Sequence, residues 1–290
     1  MMAGHIGFAR QEDREGLRQL WLESFEDTPE AVDFFLERWL SPFSCVAAWE
    51  QGKVVSALYL LPGVWQEGKR SYQAQYIYGA ATLPAFRGCG WMGKLLAFAG
   101  STGARQRGDQ VSCLLPATKS LYNFYARYGY RTAFYLRTVE KEREELEALA
   151  GTRERPCVVP ALSPWEIREI SMSQQTGIQW GRQMVEYAFA VNSLYGGGRV
   201  CTVDGYALYR RQGDLAEILE WRCLGDMGAL LAALLKDTDA ELFRFRLSGR
   251  DALFPKEGDL IPFGMGKSLC QGLKIEKIQG ETPYLGMTLD

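Results

Sequence analysis

A short glycine-rich stretch, Arg87-Gly-Cys-Gly-Trp-Met-Gly93, contains the residues whose types and spacing most clearly suggest chemistry. It follows the strand-like run 72–80 and precedes a helical pattern in which apolar residues recur at i, i+3, i+4 and i+7 from Met92. The start of a helix leaves about four backbone N–H groups without partners, and glycine lets a ligand approach the backbone closely. Arg87 adds a positive charge that suits phosphate. The stretch therefore predicts an anion site for a ligand that carries a pyrophosphate. The alternative is a tight strand-to-helix turn that binds nothing.

Two motifs in order give this chain a family resemblance. A Walker loop would end in Gly-Lys-Ser/Thr, which is absent here. The pattern that is present is Arg-x-x-Gly-x-x-Gly, at Arg87, Gly90 and Gly93. Downstream, residues 121–130 read Leu-Tyr-Asn-Phe-Tyr-Ala-Arg-Tyr-Gly-Tyr. Together they resemble the GNAT superfamily of acetyl-CoA-dependent N-acetyltransferases, whose motifs are Gln/Arg-x-x-Gly-x-Gly/Ala and Phe-Tyr-x-x-x-Gly-Phe.

The chain departs from the family pattern at two positions. Met92 stands where the first motif usually has Gly or Ala, and Tyr130 replaces the Phe of the second. A larger residue at the position of Met92 is also known in the branch that includes the enhanced-intracellular-survival acetyltransferases. The resemblance to that branch extends to its tandem arrangement of two GNAT-like domains.

The resemblance implies that acetyl-CoA is the cosubstrate and that no metal is needed. The pantetheine arm would pair with the backbone at the end of the fourth strand, the pyrophosphate would lie on the glycine loop, and one aromatic ring would contact the cofactor. The implied residues are Ala81, Thr82, Leu83, Arg87, Gly88, Cys89, Gly90, Trp91, Met92, Gly93 and Phe124.

Tyr125 matches the family tyrosine that protonates the departing thiolate. A phenol with a pKa of about 10 can donate to such a thiolate. The alternative is that Tyr125 only packs on the apolar stripe of its helix. Because His5 is the single histidine, Ser-His-Asp, Cys-His and multi-histidine metal chemistry are all excluded.

The general base and the acceptor site are less specified by the sequence. The strand over 71–83 has no Asp, Glu or His where many family members place a glutamate, and Gln75 cannot readily substitute. A free amine fraction, a water relay or a carboxylate from elsewhere must then serve. The candidate acceptor residues are Glu26 and Asp27, between the first two helices; Tyr78, on the strand; and the terminal Asp290, whose counterpart reaches the active site in survival-type enzymes.

Hydrophobic periodicity predicts the elements that must position these residues. The first half reads β-α-α-β-β-β-α-β-α-β, the order of the GNAT fold, with strands near 5–10, 43–49, 53–65, 71–83, 110–115 and 130–139. The second half predicts strands at 199–203, 206–210, 215–223 and 241–247, with a helix before the last, and a strand-like end at 284–290. The fold class is therefore α+β, with a mixed sheet flanked by helices. We expect an N-terminal catalytic domain over 1–139, a charged linker over 140–160 and a degenerate GNAT-like domain without its own CoA site over 161–290.

Composition bounds the function further. The chain has 290 residues, 47% of them hydrophobic, and a net charge of −2, with no Lys/Arg cluster. Neither nucleic acid nor a membrane is therefore an expected partner. Seven scattered cysteines without a Cys-x-x-Cys pair are expected to be reduced, and a cytoplasmic location follows. We expect transfer of an acetyl group from acetyl-CoA to a primary amine of a small molecule or peptide. The rival is a non-catalytic acyl-CoA-binding or regulatory module.

Overall fold

The structure is a computed structural model, and it describes residues 4–151, 162–275 and 282–289. It divides into two compact units. Unit 1 comprises residues 1–64, 72–132 and 264–277, and unit 2 comprises 65–71, 133–263 and 278–290.

Both halves of the described chain contain helices and strands. The first half contains β1 (His5–Phe8), α1 (Arg14–Leu22), α2 (Pro29–Trp39), β2 (Cys45–Glu50), β3 (Lys53–Glu67), β4 (Arg70–Thr82), α3 (Trp91–Phe98), α4 (Ala104–Arg107), β5 (Val111–Leu114), α5 (Lys119–Ala126) and β6 (Arg131–Glu142). The second half contains α6 (Arg143–Ala150), α7 (Pro164–Met172), β7 (Gly177–Gln179), α8 (Arg182–Leu194), β8 (Gly198–Cys201), β9 (Gly205–Gln212), β10 (Leu215–Cys223), α9 (Met227–Asp237), β11 (Leu242–Leu247) and β12 (Asp259–Ser268).

The sheet of unit 1 has the strand order β1-β2-β3-β4-β5-β12. β2 pairs antiparallel with both β1 and β3, whereas β4 and β5 are parallel and joined through α3. β3 is buried from Val54 to Leu61, as expected for a strand covered on both faces. The hydrophobic core of unit 1 includes Leu58, Leu95 and Leu114. The predicted mixed sheet flanked by helices is confirmed.

Unit 2 has the strand order β6-β11-β10-β9-β8. β10 and β11 are parallel and joined through α9, and the other neighbours are antiparallel. Its core contains Trp221, Phe243 and Phe245. β8 to β11 and α9 lie where the periodicity predicts them.

The charged run that starts at Glu140 is not a linker in the structure. Its first residues end β6, which pairs in register with β11, and Glu140 forms an ion pair with Arg244 (Oε1 to Nη2, 2.7 Å). Residues 143–150 of the predicted linker form α6, whose Leu146 is fully buried in the core of unit 2, and residues 152–160 lie outside the described residues. Acidic residues on the exposed faces of a strand and a helix produce the same sequence pattern as a solvated linker.

The two units are also not the contiguous domains 1–139 and 161–290 that the sequence predicts, because each unit is built from three separate segments. β6 leaves unit 1 after residue 132, because its pairing with β11 places it in unit 2. β12, which the sequence pattern did not predict, returns residues 264–268 to unit 1 beside β5. At the carboxyl end, Tyr284 makes one parallel bridge with Gly177, and the rest of 282–289 is not strand.

Within the described ranges, no helix is both long enough and apolar enough to cross a membrane.

Candidate active site

The candidate site lies in unit 1, where the pairing between β4 and β5 ends. The parallel register runs from Ala74↔Val111 to Ile77↔Leu114, whereas β4 continues to Thr82. The last residues of β4 therefore extend beyond their register with β5. A strand edge of this kind presents N–H and C=O groups to an extended ligand.

The other edge of this strand end is held by β3. The buried Ser56 hydroxyl donates to the Ala81 carbonyl at 2.9 Å and lies 2.8 Å from the Thr82 hydroxyl. The Leu83 N–H donates to the Val55 carbonyl at 3.0 Å. The three residues predicted to pair with pantetheine are thus fixed in an extended conformation from one side.

The glycine loop connects this strand end to α3. The Arg87 Nε donates to the Thr82 carbonyl at 3.0 Å, which folds the loop back on β4. Gly88 and Gly90 have φ values of +77° and +79°, which L side chains rarely adopt. A β carbon at either position would meet no atom within 4 Å. Because residues 87–90 are exposed, the loop leaves open space at the start of α3.

Gly93 has a different structural role from the other two glycines. A β carbon there would lie 2.8 Å from Cζ of Tyr128, so its absence lets the Tyr128 ring pack on the first turn of α3. Trp91 and Met92 are half-buried against the unit 1 core. Lys94, which no motif singled out, lies over the Trp91 ring with Nζ 4.5 Å from its centroid. Its positive charge is thus held in the first turn of α3.

Tyr125 and Phe124 are on α5. The Tyr125 side chain is 8% exposed, and its ring is 6.0 Å from that of Tyr130 and 5.2 Å from that of Phe124. Burial raises the pKa of the Tyr125 phenol to about 12. The phenol is therefore protonated at neutral pH, as a proton donor must be.

A buried polar network fixes Tyr130 beside Tyr125. The Gln75 amide donates to the Ser112 hydroxyl (3.2 Å) and to the Ala99 carbonyl (3.3 Å), and the Ser112 and Tyr130 hydroxyls are 2.7 Å apart. Ala99, whose carbonyl accepts from Gln75, starts a π-helical turn over Ala99–Gly103. The contacts of Gln75 are thus structural.

The acceptor candidates are only partly brought together. The Asp27 carboxylate accepts a hydrogen bond from the Trp21 indole N–H at 2.7 Å, and the Trp21 and Tyr78 ring centroids are 5.8 Å apart. Glu26 is exposed in the same loop. Asp290 lies outside the described residues. The structure therefore places one predicted carboxylate near β4, through Trp21, which the sequence pattern marks only as a core residue.

Lys267 on β12 is another residue near the site that sequence reasoning missed. Its Nζ donates to the Tyr128 carbonyl at 2.9 Å, just beyond the end of α5. Burial lowers the pKa of this lysine. No sequence motif includes Lys267. β12 is far from α5 in the chain, and the contact between Lys267 and Tyr128 forms only in the folded protein.

Gly88, Gly90 and Gly93 also satisfy the Gly-x-Gly-x-x-Gly spacing of dinucleotide-binding loops. The surrounding fold must therefore distinguish a dinucleotide-binding loop from an acyl-CoA-binding loop. In dinucleotide folds, an acidic residue about 20 positions on binds the ribose beyond the carboxyl ends of the strands. Here Asp109 precedes β5, at the opposite end, and pairs with Arg107 at 2.6 Å. In addition, β1, β2, β3 and β4 are successive neighbours in the sheet, and the pairs β1–β2 and β2–β3 are antiparallel. This architecture does not match a dinucleotide fold.

Comparison with known proteins agrees with this geometry. Residues 5–133 match the family model described as acetyltransferase (GNAT) domain. This match covers the elements from β1 to the start of β6, including the glycine loop and Tyr125. A search of curated proteins found no match.

Three solved structures are similar to most of the chain. A probable N-acyltransferase from Enterococcus faecalis V583 has a TM-score of 0.73 and 18% identity, over 92% of this chain and 73% of that one. A GCN5-related N-acetyltransferase from Kribbella flavida has a TM-score of 0.71 and 16% identity, over 92% and 72%. Eis1 from Mycobacterium abscessus has a TM-score of 0.66 and 16% identity, over 92% and 74%. At these identities the likeness to the three solved structures establishes the fold alone. The match of residues 5–133 to the acetyltransferase (GNAT) domain indicates an acyltransferase.

Proposed function

We propose that the protein is an N-acetyltransferase that moves an acetyl group directly from acetyl-CoA to a primary amine. The observation that carries this proposal is the open loop at the start of α3, with left-handed glycines at Gly88 and Gly90, directly after a β4 end that extends beyond its register with β5. Backbone N–H groups at a helix start favour phosphate oxygens. An exposed strand edge favours the amide-bearing pantetheine arm.

The residues around this cleft support a direct transfer. The amine nitrogen attacks the thioester carbonyl, the C–S bond breaks, and the CoA sulfur takes a proton as it leaves. Tyr125 is our candidate for that donor, because its phenol remains protonated far above neutral pH. The predicted contacts of the donor are with Ala81 to Leu83, the 87–93 loop and Phe124.

The amine must also lose a proton before or during attack. β4 contains no carboxylate or histidine, so the acceptor side must supply one or the amine must arrive neutral. Asp27 is the candidate that the geometry favours, because Trp21 links it to Tyr78. A positive ammonium group would bind this carboxylate by a charge-assisted hydrogen bond. Asp27 would also be placed to accept the proton.

Unit 2 is proposed to be a GNAT-like domain without a CoA site, in a tandem arrangement like that of survival-type acetyltransferases. Its helix α9 follows a parallel-pairing strand as α3 does in unit 1, but its N-terminus carries an acidic cap. The Asp226 carboxylate accepts the Ala229 N–H at 3.0 Å. This negative charge occupies the helix start at which a phosphate would bind.

The direct test is turnover of acetyl-CoA by the purified full chain with a panel of amines: phenethylamine, spermidine, kanamycin and a peptide with a free N-terminus. We expect amine-dependent release of free CoA, with mass spectrometry showing one acetyl group on the amine. Binding of acetyl-CoA without amine-dependent release would favour the acyl-CoA-binding module, for which the lack of a carboxylate on β4 is the argument. No binding of acetyl-CoA would contradict both.

A further inference from the structure

We infer that the Tyr128 hydroxyl donates a hydrogen bond to the pyrophosphate of acetyl-CoA. Tyr128 stands at one of the unspecified positions of the second motif, just after the end of α5. The inference rests on the proposed function, because it requires that acetyl-CoA binds at the glycine loop. It adds a side-chain donor to a site that the first motif describes by its backbone groups and by Arg87.

The hydroxyl end of the Tyr128 ring lies against Gly93. A β carbon at Gly93 would be 2.8 Å from both Cε1 and Cζ of Tyr128, and closest of all to the hydroxyl oxygen. The Lys94 N–H donates to the Gly90 carbonyl at 3.2 Å. Because this bond opens α3, the N–H groups of residues 91–93 have no partner within the helix. The hydroxyl therefore lies beside the last of the backbone donors that are proposed to hold the pyrophosphate.

Tyr128 is held in place through its backbone and its ring. Its N–H donates to the Tyr125 carbonyl at 2.9 Å, and its carbonyl accepts from Nζ of Lys267 at 2.9 Å. Its ring centroid is 5.1 Å from that of Phe124, a distance typical of aromatic pairs. The protein thus sets the position of the hydroxyl before a ligand binds, which lowers the entropy cost of binding.

The hydroxyl itself is available to a ligand. Among the described residues it has no hydrogen-bond partner, and it is not one of the buried polar atoms that lack a partner. The Tyr130 hydroxyl, by contrast, belongs to a buried side chain and lies 2.7 Å from that of Ser112. A phenol hydroxyl can donate one hydrogen bond, and a hydrogen bond to a charged oxygen is stronger than one between neutral groups. A phosphate oxygen at the glycine loop is the acceptor that fits this position.

The test compares Tyr128→Phe with the wild-type protein by isothermal titration calorimetry of the full chain. The change removes the hydroxyl and keeps the ring that packs on Gly93, so the melting temperature is expected to stay near its wild-type value. The two ligands are CoA and dephospho-CoA, which retains the pyrophosphate and lacks only the 3′-phosphate. We expect the Kd of both ligands to rise about 10-fold, the usual effect of losing a hydrogen bond to a charged group.

Tyr122→Phe on α5 is the matched control, because it also removes a phenol hydroxyl from a ring that packs on the unit 1 core. It should leave both Kd values unchanged. If Tyr128→Phe binds both ligands as tightly as the wild-type protein, Tyr128 only packs and the inference is wrong, while acetyl-CoA binding stands. If only CoA binds more weakly, the hydroxyl contacts the 3′-phosphate, which also overturns the inference. If the wild-type protein binds neither ligand, the proposed function fails, and the inference fails with it.

Discussion

Tyr125 shows how one residue acquires a chemical role from its surroundings. The sequence does not show whether the phenol of a tyrosine is exposed or buried. In the structure, burial on α5 raises the pKa of Tyr125 to about 12. The hydroxyl thus keeps its proton throughout the pH range in which an amine becomes neutral. The motif identifies the residue as the candidate acid, and burial keeps its hydroxyl protonated while making the phenol a weaker acid than a free tyrosine.

For Tyr125→Phe we expect kcat to fall roughly 10²- to 10⁴-fold, the usual contribution of general acid catalysis, while the melting temperature changes little. In the wild-type protein, ionisation of Tyr125 should not reduce kcat until the pH approaches 12. Tyr122→Phe on the same helix is the control, because it also removes a phenol hydroxyl and should leave kcat near the wild-type value. Near-normal kcat in Tyr125→Phe would mean that Tyr125 only packs.

Individual residues also show what the sequence does not specify. Gly93 fits the loop motif, yet the structure accounts for it by the Tyr128 ring that packs against it. Trp21 reads as one more apolar residue on a helix stripe, because its hydrogen bond to Asp27 depends on a tertiary arrangement. A local pattern predicts that a residue is buried, but it does not predict which atom its polar group will meet.

At the scale of elements, the carboxyl-terminal segment is anchored to β10 by one buried carboxylate. Glu220 is fully buried, and one of its oxygens accepts from Nε of Arg168 (3.1 Å) and of Arg222 (2.9 Å). The other accepts from the Tyr284 hydroxyl (3.0 Å) and the Met287 N–H (2.8 Å). Burial by itself raises the pKa of Glu220, but Arg222 and Arg168 outweigh it, so the pKa lies below its ordinary value.

We expect Glu220→Gln to lower the free energy of unfolding by about 3–5 kcal/mol, because it removes the buried counter-charge that Arg168 and Arg222 share and leaves Arg222 with only Asp251, at 3.8 Å. Since the folded pKa is depressed, the stabilisation is present above the ordinary pKa of about 4.3. It is lost as the pH falls through the lower folded value. Urea unfolding at neutral and acid pH measures both effects. Glu186→Gln, which breaks an exposed pair with Arg182, should cost less than about 1 kcal/mol, and an equal loss in both variants would contradict this account.

Much of the element order could be predicted, because the first half alternates strand and helix periods with clear glycine punctuation. β12 could not, because Asp259–Ser268 contains Pro262 and two glycines and has no strong alternation. The segment from Glu140 is wrongly predicted to be a linker, because charged residues that form ion pairs across strands give the same sequence pattern as a charged linker. Both errors concern segments whose structure depends on partners that are distant in the chain.

At the scale of the whole molecule, the two units are expected to differ in ligand binding. In unit 1 the start of α3 is an open glycine loop, whereas in unit 2 the start of α9 is closed by the Asp226 cap. We therefore expect one acetyl-CoA per chain. Isothermal titration calorimetry of the full chain gives this number directly, and a stoichiometry of two would show that unit 2 has a site of its own.

The same calorimetry tests the central claim when it is applied to Gly90→Asp. Gly90 and Gly52 share a φ of +79°, and a β carbon at either position would meet no atom within 4 Å, so Asp adds the same charge at an open, left-handed position in both variants. Only Gly90 lies on the proposed pyrophosphate loop, where a negative charge would repel the ligand. We predict that Gly90→Asp weakens acetyl-CoA binding at least about 10-fold while Gly52→Asp retains the wild-type affinity. Unchanged affinity in a folded Gly90→Asp protein would contradict the assignment of this loop.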